Sequence, residues 1–305
     1  MYYLRYVVLR MAQERAHKNQ NGLGILEAGA SRENPWNTWI SSLLAEGIQV
    51  ISAEGAGQGE ASLWITDDES FAKECVRCGR PVLGVLTEDN AGQGFDGVSY
   101  LVSDLVDVEP QYLEKVYRRQ AGIPWDVLET ERCLLRETIA GDADAFYEIY
   151  ADPSVTKHVE DLPKDRDAFT AWLQDYAKSV YEFLGYGIWT VCLKQETLDE
   201  SLAVIGRAGL TVREGYDAPE LGFVIGKPWQ GQGLAYEICC AILDYAREQG
   251  IPEVIAFAEP GNEASRKLLQ KLGFQMTDWK NLDWHKTDCQ EQVLQDLVML
   301  TMHFI

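Results

Sequence analysis

The sequence predicts an α/β protein made of two units, the first a small three-layer α/β domain with a mostly parallel sheet. Three observations carry this expectation. The chain has 305 residues, enough for two domains. Short apolar runs of strand type alternate with helix-period segments through residues 1–125, the pattern of a parallel sheet covered by helices. Further on, a strand, a tight glycine turn and a helix follow one another between Glu220 and Arg247.

Composition narrows the class. Hydrophobic residues make up 46% of the chain and charged residues 25%, as in a soluble globular protein. No run approaches the ~20 apolar residues of a membrane span. Arginines interrupt the apolar N-terminus, Met1–Arg10, which lacks the form of a signal peptide, so the expected location is the cytoplasm. The formal charge of −21 speaks against nucleic acid as a partner. It favours a cationic substrate, although an acidic surface also serves solubility alone. Of the seven cysteines, only Cys75 and Cys78 have ligand-like spacing; without a second pair or nearby histidines they are read as free thiols. Cys239 and Cys240 read as packing residues.

The elements follow in order. Met1–Gln20 reads as a helix and Gly22–Glu27 as a short strand. Trp39, Ile40, Leu43 and Leu44 stand at helical spacing in Asn37–Glu46, which ends at Gly47. Ile48–Ser52, Leu63–Thr66, Pro81–Leu86 and Val98–Val102 are strands. Helices are expected over Glu69–Cys78 and Pro110–Gln120. The run Trp64–Asp68, a helix, Gly79 and Val82–Val85 resembles the second half of a haloacid-dehalogenase-like phosphatase. No Asp-x-Asp nucleophile follows an N-terminal strand, so the resemblance implies a degenerate domain, and Asp67–Asp68 is read as a helix cap and first-turn acid.

Gly122–Trp125 ends the first unit (1–125), with a linker to Thr130, and the second unit is 131–305. Arg132–Glu137 is its first strand and Asp142–Tyr150 a capped helix broken at Asp152–Pro153. Arg166–Tyr181 is an amphipathic helix. Tyr186–Leu193 and Ala203–Leu210 are strands around a polar hairpin loop, Lys194–Ser201. Glu220–Ile225, Val254–Ala258 and Gln292–Phe304 complete the strands.

The segment Trp229–Ala235 carries the chemistry. A strand, a glycine turn and a helix N-terminus make an anion site: Gly231 and Gly233 permit close approach, turn N–H groups are free, and the helix dipole favours negative charge. The third glycine and the distant acid of a dinucleotide fold are missing, as is the Gly-Lys-Ser/Thr of a Walker loop. The physics predicts a phosphate or pyrophosphate without naming its owner.

Gln230-x-x-Gly233-x-Ala235 resembles the acyl-CoA signature of the GNAT acetyltransferases. Asn262-x-x-Ser265, on a helix ending in Gly273-Phe274, resembles that family's next motif, in the right order and separation. The opening of the second unit, an Arg-containing strand, a helix and an Asp-Pro break, looks like the branch that acetylates ribosomal-protein N-termini. The resemblance implies a GNAT fold over 131–305, with a mixed, largely antiparallel sheet flanked by helices, and acetyl transfer from acetyl-CoA to a primary amine by direct attack. It implies that Gln230, Gly231, Gln232, Gly233, Leu234 and Ala235 wrap the pyrophosphate and that Asn262 and Ser265 bond the pantetheine arm or a phosphate. The resemblance also implies that the strand Gly222–Ile225 splays from its neighbour and that the N–H near Val224 or Ile225 is the oxyanion donor. Arg266 or Lys267 reaches the adenosine phosphates, or is plain surface charge.

Glu220 is the expected base, through a water, with burial raising its pKa; simple orientation of the amine fits it equally well. Ser265 is the candidate acid, because Leu269 fills the slot where many members have a tyrosine. His158 and Glu160 lie in the segment lining the acceptor side, though a lone histidine is more often structural. Tyr186, Trp189 and Trp229 are read as core. The acceptor is a protein α-amine or a small cationic amine; no metal, nucleic acid or membrane is implied, and no oligomeric state. A catalytically weak acyl-CoA sensor is the alternative.

Overall fold

The computed structural model describes residues 3–11, 35–53, 61–90, 92–159, 161–194, 202–276 and 298–304. The chain divides into two compact units, Met1–Trp125 and Asp126–Ile305.

The first unit contains β1 (Tyr6–Arg10), α1 (Pro35–Ala45), β2 (Gln49–Ser52), β3 (Ser62–Thr66), α2 (Glu69–Arg77), β4 (Val82–Val85), β5 (Leu101–Val102) and α3 (Pro110–Gln120). Its strands pair in the order β2-β1-β3-β4-β5, every pair parallel. Leu43 of α1 and Leu113 of α3 pack with Val7, Leu63 and Leu83, while Phe71 and Cys75 of α2 pack with Val82 and Trp64. Because Leu63 and Trp64 are successive residues of one strand, these groups lie on opposite faces and the unit has three layers.

The helix expected over Met1–Gln20 is not formed at its start, where Tyr6–Arg10 is a strand lying between β2 and β3. A strand covered on both faces reads as a continuous apolar run without alternation, and that is easily taken for part of a helix. The rest of that segment, 12–20, and the strand expected at Gly22–Glu27 lie outside the described residues. Asp68 caps α2, its Oδ1 accepting the N–H groups of Ser70 at 2.9 Å and Phe71 at 3.2 Å, which is the cap the sequence implied. Cys75 is buried, and burial pushes its thiol up to about 11. No cluster of metal ligands occurs among the described residues.

The second unit contains β6 (Asp126–Glu129), β7 (Cys133–Arg136), α4 (Ala143–Tyr150), α5 (Pro153–Thr156), α6 (Arg166–Tyr176), a helical turn α7 (Glu182–Leu184), β8 (Ile188–Leu193), β9 (Ala203–Thr211), β10 (Glu220–Ile225), α8 (Leu234–Glu248), β11 (Glu253–Ala258), α9 (Glu263–Leu272), β12 (Gln275–Met276) and β13 (Val298–His303). The sheet order is β12-β13-β11-β10-β9-β8-β7-β6. All neighbours are antiparallel except β10 and β11. The core lies between this sheet and α8, where Ile238, Cys239 and Ile242 meet Val191, Ile205, Ala208 and Val254. No described helix is long and apolar enough to cross a membrane.

Three expectations change here. Residues 126–129, read as linker, form β6, an edge strand paired with β7; a four-residue strand leaves too short a pattern to recognise. The helix expected over Arg166–Tyr181 leaves α-geometry after Tyr176 and continues as a π-helical turn over Ala177–Tyr181. Asp142 is not the side-chain cap of α4. Its carboxylate is 3% exposed and meets Arg136 at 2.6 and 2.8 Å, the Thr190 hydroxyl at 2.8 Å and the Ile139 N–H at 3.0 Å. A short strand-to-helix connection made the local cap look sufficient, and the long-range partners won. Replacing Asp142 by Ala strands a buried guanidinium, so a loss of about 3–5 kcal/mol is expected, read as a lowered denaturation midpoint; a change under about 1 kcal/mol would show that water reaches Arg136.

Candidate active site

Strands β10 and β11 run parallel but are paired only at Glu220 and Ile255. Beyond that point they diverge and leave an open edge. The pleat decides which groups face it. Gly226 N–H donates to Ile205 of β9 at 2.8 Å, and Pro219 C=O accepts from Ile255 of β11 at 3.0 Å. Even-numbered residues of β10 therefore turn their backbone groups to β9, and Leu221, Phe223 and Ile225 turn theirs toward β11 and the gap. Val224 consequently points its N–H at β9. Of the two expected donors only Ile225 faces the gap, and Phe223 joins it, a residue the motif reading missed.

The glycine turn stands at the wide end of this gap. Gly231 (φ +75°) and Gly233 (φ +81°) are both left-handed, and Gly233 precedes α8 with no side-chain cap. The first N–H groups of α8, beginning at Leu234 and Ala235, have no partner within the helix. The Gln230 side chain ties turn to strand end, its Nε2 donating to Ile225 C=O at 2.8 Å. Gln232 donates to Pro228 C=O at 2.9 Å. Arg132 fixes the turn from β7's side, with Nη1 donating to Gln232 C=O at 3.0 Å and Nη2 at 2.6 Å from Glu237. Burial works against the Glu237 carboxylate, but hydrogen bonds from Thr130 and Arg132 outweigh it and hold its pKa below the ordinary value. Arg132 lies 105 positions from Glu237, so no local signal announced the pair.

On the far side of the gap Asn262 caps α9, its Oδ1 accepting Ser265 N–H at 3.1 Å. Both residues line a cavity of about 880 Å³ shared by β9, β10, the end of β11 and helices α4 and α6. Lys267 pairs with Glu263 at 3.0 Å on the surface and Arg266 donates to Pro260 C=O at 3.1 Å. Leu269 is buried.

The same cavity is lined by Glu220, whose Oε2 is 2.7 Å from Arg213 Nη1. That guanidinium also lies 4.0 Å from the centre of the Phe257 ring. Glu220 thus has a cationic neighbour, which the sequence reading did not include. His158, weighed as structural, also lines the cavity, with Nδ1 2.6 Å from Glu259 Oε2. Glu160 lies outside the described residues. Tyr186 and Trp229 pack against the core and Trp189 is buried within it.

A divergent parallel pair with inward N–H groups, beside an uncapped glycine-started helix, can hold an extended amide arm ending in a phosphate-rich group. Residues 132–275 match the family model described as an acetyltransferase (GNAT) domain. The chain carries a GNAT acetyltransferase domain. Among relatives, an uncharacterized N-acetyltransferase of Schizosaccharomyces pombe is 28% identical over 181 residues, covering 55% of this chain and 96% of that protein. The ribosomal protein uS5-alanine N-acetyltransferase of Escherichia coli is 40% identical over 75 residues, 24% of this chain and 39% of that one. The structure of YncA from Salmonella typhimurium with its cofactor acetyl-CoA is 22% identical with a TM-score of 0.40, covering 56% of this chain and 93% of that one.

The GNAT domain is an N-acetyltransferase domain and acetyl-CoA is its cosubstrate. The residues present fit that group. The open edge of β10 offers N–H and C=O groups in strand register to an amide arm, and the unfilled donors at Gly233–Ala235 offer an anion site. Residues the sequence reading did not reveal are those contributed by register and by distant segments: Phe223, Arg132, Arg213 and Glu259, the partner of His158.

Proposed function

We propose that the GNAT domain acetylates a primary amine by direct attack, in a ternary complex. The observation that carries this reading is the divergence of β10 from β11 directly beside the cavity that holds Glu220 and Ser265. Acetyl-CoA supplies the activated acetyl group. The turn Gln230–Ala235 and Arg132 hold its phosphates, and Asn262 and the open edge of β10 orient the arm. The N–H of Ile225 or Phe223 is positioned to accept charge that develops on the acyl oxygen. Glu220, through a water, takes the amine proton, and Ser265 or a water returns one to the departing sulfur. The acceptor classes are a protein α-amine, as the name of the Escherichia coli relative suggests, and a small amine.

Release of free thiol from acetyl-CoA, measured against amino acids, polyamines, aminoglycosides and N-terminal peptides, tests the reading. Turnover with one class names the acceptor; tight binding of acetyl-CoA without turnover anywhere would leave the sensor alternative, and no binding would end both. The anion site has its own test. A Cβ at Gly233 would touch only Arg132 Nη2, at an ordinary 3.7 Å, so a substitution there is conformational rather than steric in cost. Gly233→Val must force φ +81° on a branched residue, at about 1–3 kcal/mol. The dissociation constant of acetyl-CoA should rise about tenfold or more by titration calorimetry; an unchanged value would remove the turn from the binding site.

A further inference from the structure

Four titratable groups on the cavity wall are accounted for by mutual pairing: Glu220 with Arg213, and Glu259 with His158. Arg207 is not. It lines the cavity from β9, and no carboxylate among the described residues lies within 4.0 Å of it. Its guanidinium carbon sits 5.2 Å from the centre of the Tyr150 ring. Tyr150 is 8% exposed and lines the same cavity, yet its hydroxyl makes no hydrogen bond within 3.5 Å. Leaving a buried hydroxyl without a partner is unfavourable, and the cation beside it has further N–H donors to offer. Burial raises the phenol's pKa, and Arg207, by its charge and by a long hydrogen-bonding approach to the hydroxyl oxygen, opposes this less strongly, so the hydroxyl keeps its proton to donate. Lys157, also on the cavity wall, has no acid partner among the described residues either. Arg207, Lys157 and the Tyr150 hydroxyl can all donate, and the charges left without a partner on this wall, among the described residues, are positive.

Register places this cluster relative to the chemistry. Arg207 is directly opposite Val224, and Thr211 is opposite Glu220. All four therefore share one face of the sheet, with Arg207 one residue from the inward Ile225 N–H and Glu220 four residues further along β10, about 13 Å at strand spacing. Gly222 lies between them, where even a Cβ would meet only Ile188 Cδ1 at 3.5 Å. The space between Arg207 and Glu220 is thus an open trough with a donor cluster at one end and the expected base at the other.

We propose that the acceptor amine carries a carboxylate, and that Arg207 and the Tyr150 hydroxyl bind it while the amine faces Glu220. This rests on the acetyl-transfer reading and sharpens it: the acceptor is an α-amino acid or a peptide N-terminus with an acidic side chain, and a polyamine does not fit. The overall acidity of the chain pointed to cationic acceptors, but a net charge counts the whole surface, whereas the charges left unpaired in this cavity are of the other sign.

The test compares matched acceptors by thiol release: L-amino acids against their carboxamides, an acidic against a neutral peptide amide, and spermidine. The carboxylate form of a pair should be favoured about tenfold or more in kcat/KM, because a site built for a hydrogen-bonded anion rejects the analogue lacking it. Arg207→Gln should bring that ratio close to one and Tyr150→Phe should reduce it in part, with melting temperatures reporting that each variant is folded. Preference for free amino acids or for acidic peptides identifies the source of the carboxylate. Spermidine as the best acceptor, or an acid-to-amide ratio unchanged in Arg207→Gln, overturns the proposal. If acetyl-CoA binds but no acceptor is turned over, the readout is thermal stabilisation by N-acetyl-L-alanine against its amide with CoA present. Stabilisation by the acid alone, lost in Arg207→Gln, supports the carboxylate site although the transfer reading has failed, and equal shifts sink it.

Discussion

Replacing Glu220 by Gln is expected to lower kcat by about 10²-fold or more with the preferred amine, if the carboxylate removes the amine proton. The side chain is held 2.7 Å from Arg213 at the mouth of the strand pair and lines the cavity. Gln keeps the size and one acceptor oxygen but cannot take a proton. The rival role is orientation of the amine by the ion-paired carboxylate. That role predicts a raised KM for the acceptor and a kcat within a few-fold of wild type. The measurement separates the two because proton transfer belongs to the transition state and orientation is felt in both states.

Gly209→Ala should give a large stability loss. Gly209 on β9 is opposite Gly222 on β10, so the two make a matched pair in one sheet. A Cβ at Gly209 would sit 1.9 Å from Gly187 O and 2.9 Å from Ile188 Cα, all backbone, so the β8–β9 ladder must move. A Cβ at Gly222 meets one side-chain carbon at 3.5 Å. The expected cost is about 3 kcal/mol or more at Gly209, and under about 1 kcal/mol at Gly222, where the lost glycine freedom even favours Ala. Parallel denaturation curves of the two variants decide it. Equal midpoints would mean that the close approach of Gly187 to β9 is not maintained in solution. Gly222→Ala also carries information on the trough, because it narrows the floor without disturbing the sheet.

What the sequence by itself determined is local. The turn around Gly231 and Gly233 was legible because only glycine accepts a left-handed backbone at low cost, and both positions are left-handed. Asn262 and Ser265 were legible as a motif on a helix, and the structure adds that Asn262 caps that helix, its Oδ1 accepting Ser265 N–H. The alternation of strands and helices in residues 1–125 was legible because a parallel sheet needs a crossover between its strands.

What the tertiary structure decided is everything that depends on which strand lies beside which. The pleat of β10 selects Ile225 and Phe223 over Val224, because the direction of an N–H follows from register and not from residue type. The strand Tyr6–Arg10 became central because neighbours from residues 49–52 and 62–66 cover both its edges. Asp142 left its helix for Arg136 and Thr190, since a buried carboxylate needs several partners and one cap N–H is not enough. Arg207 and Tyr150, 57 positions apart in the chain, meet over one cavity without any pattern to announce them. A charge's partner, or its lack of one, is a fact of packing, and among the described residues it leaves Arg207 and Lys157 without an acid partner in the cavity of an acidic chain.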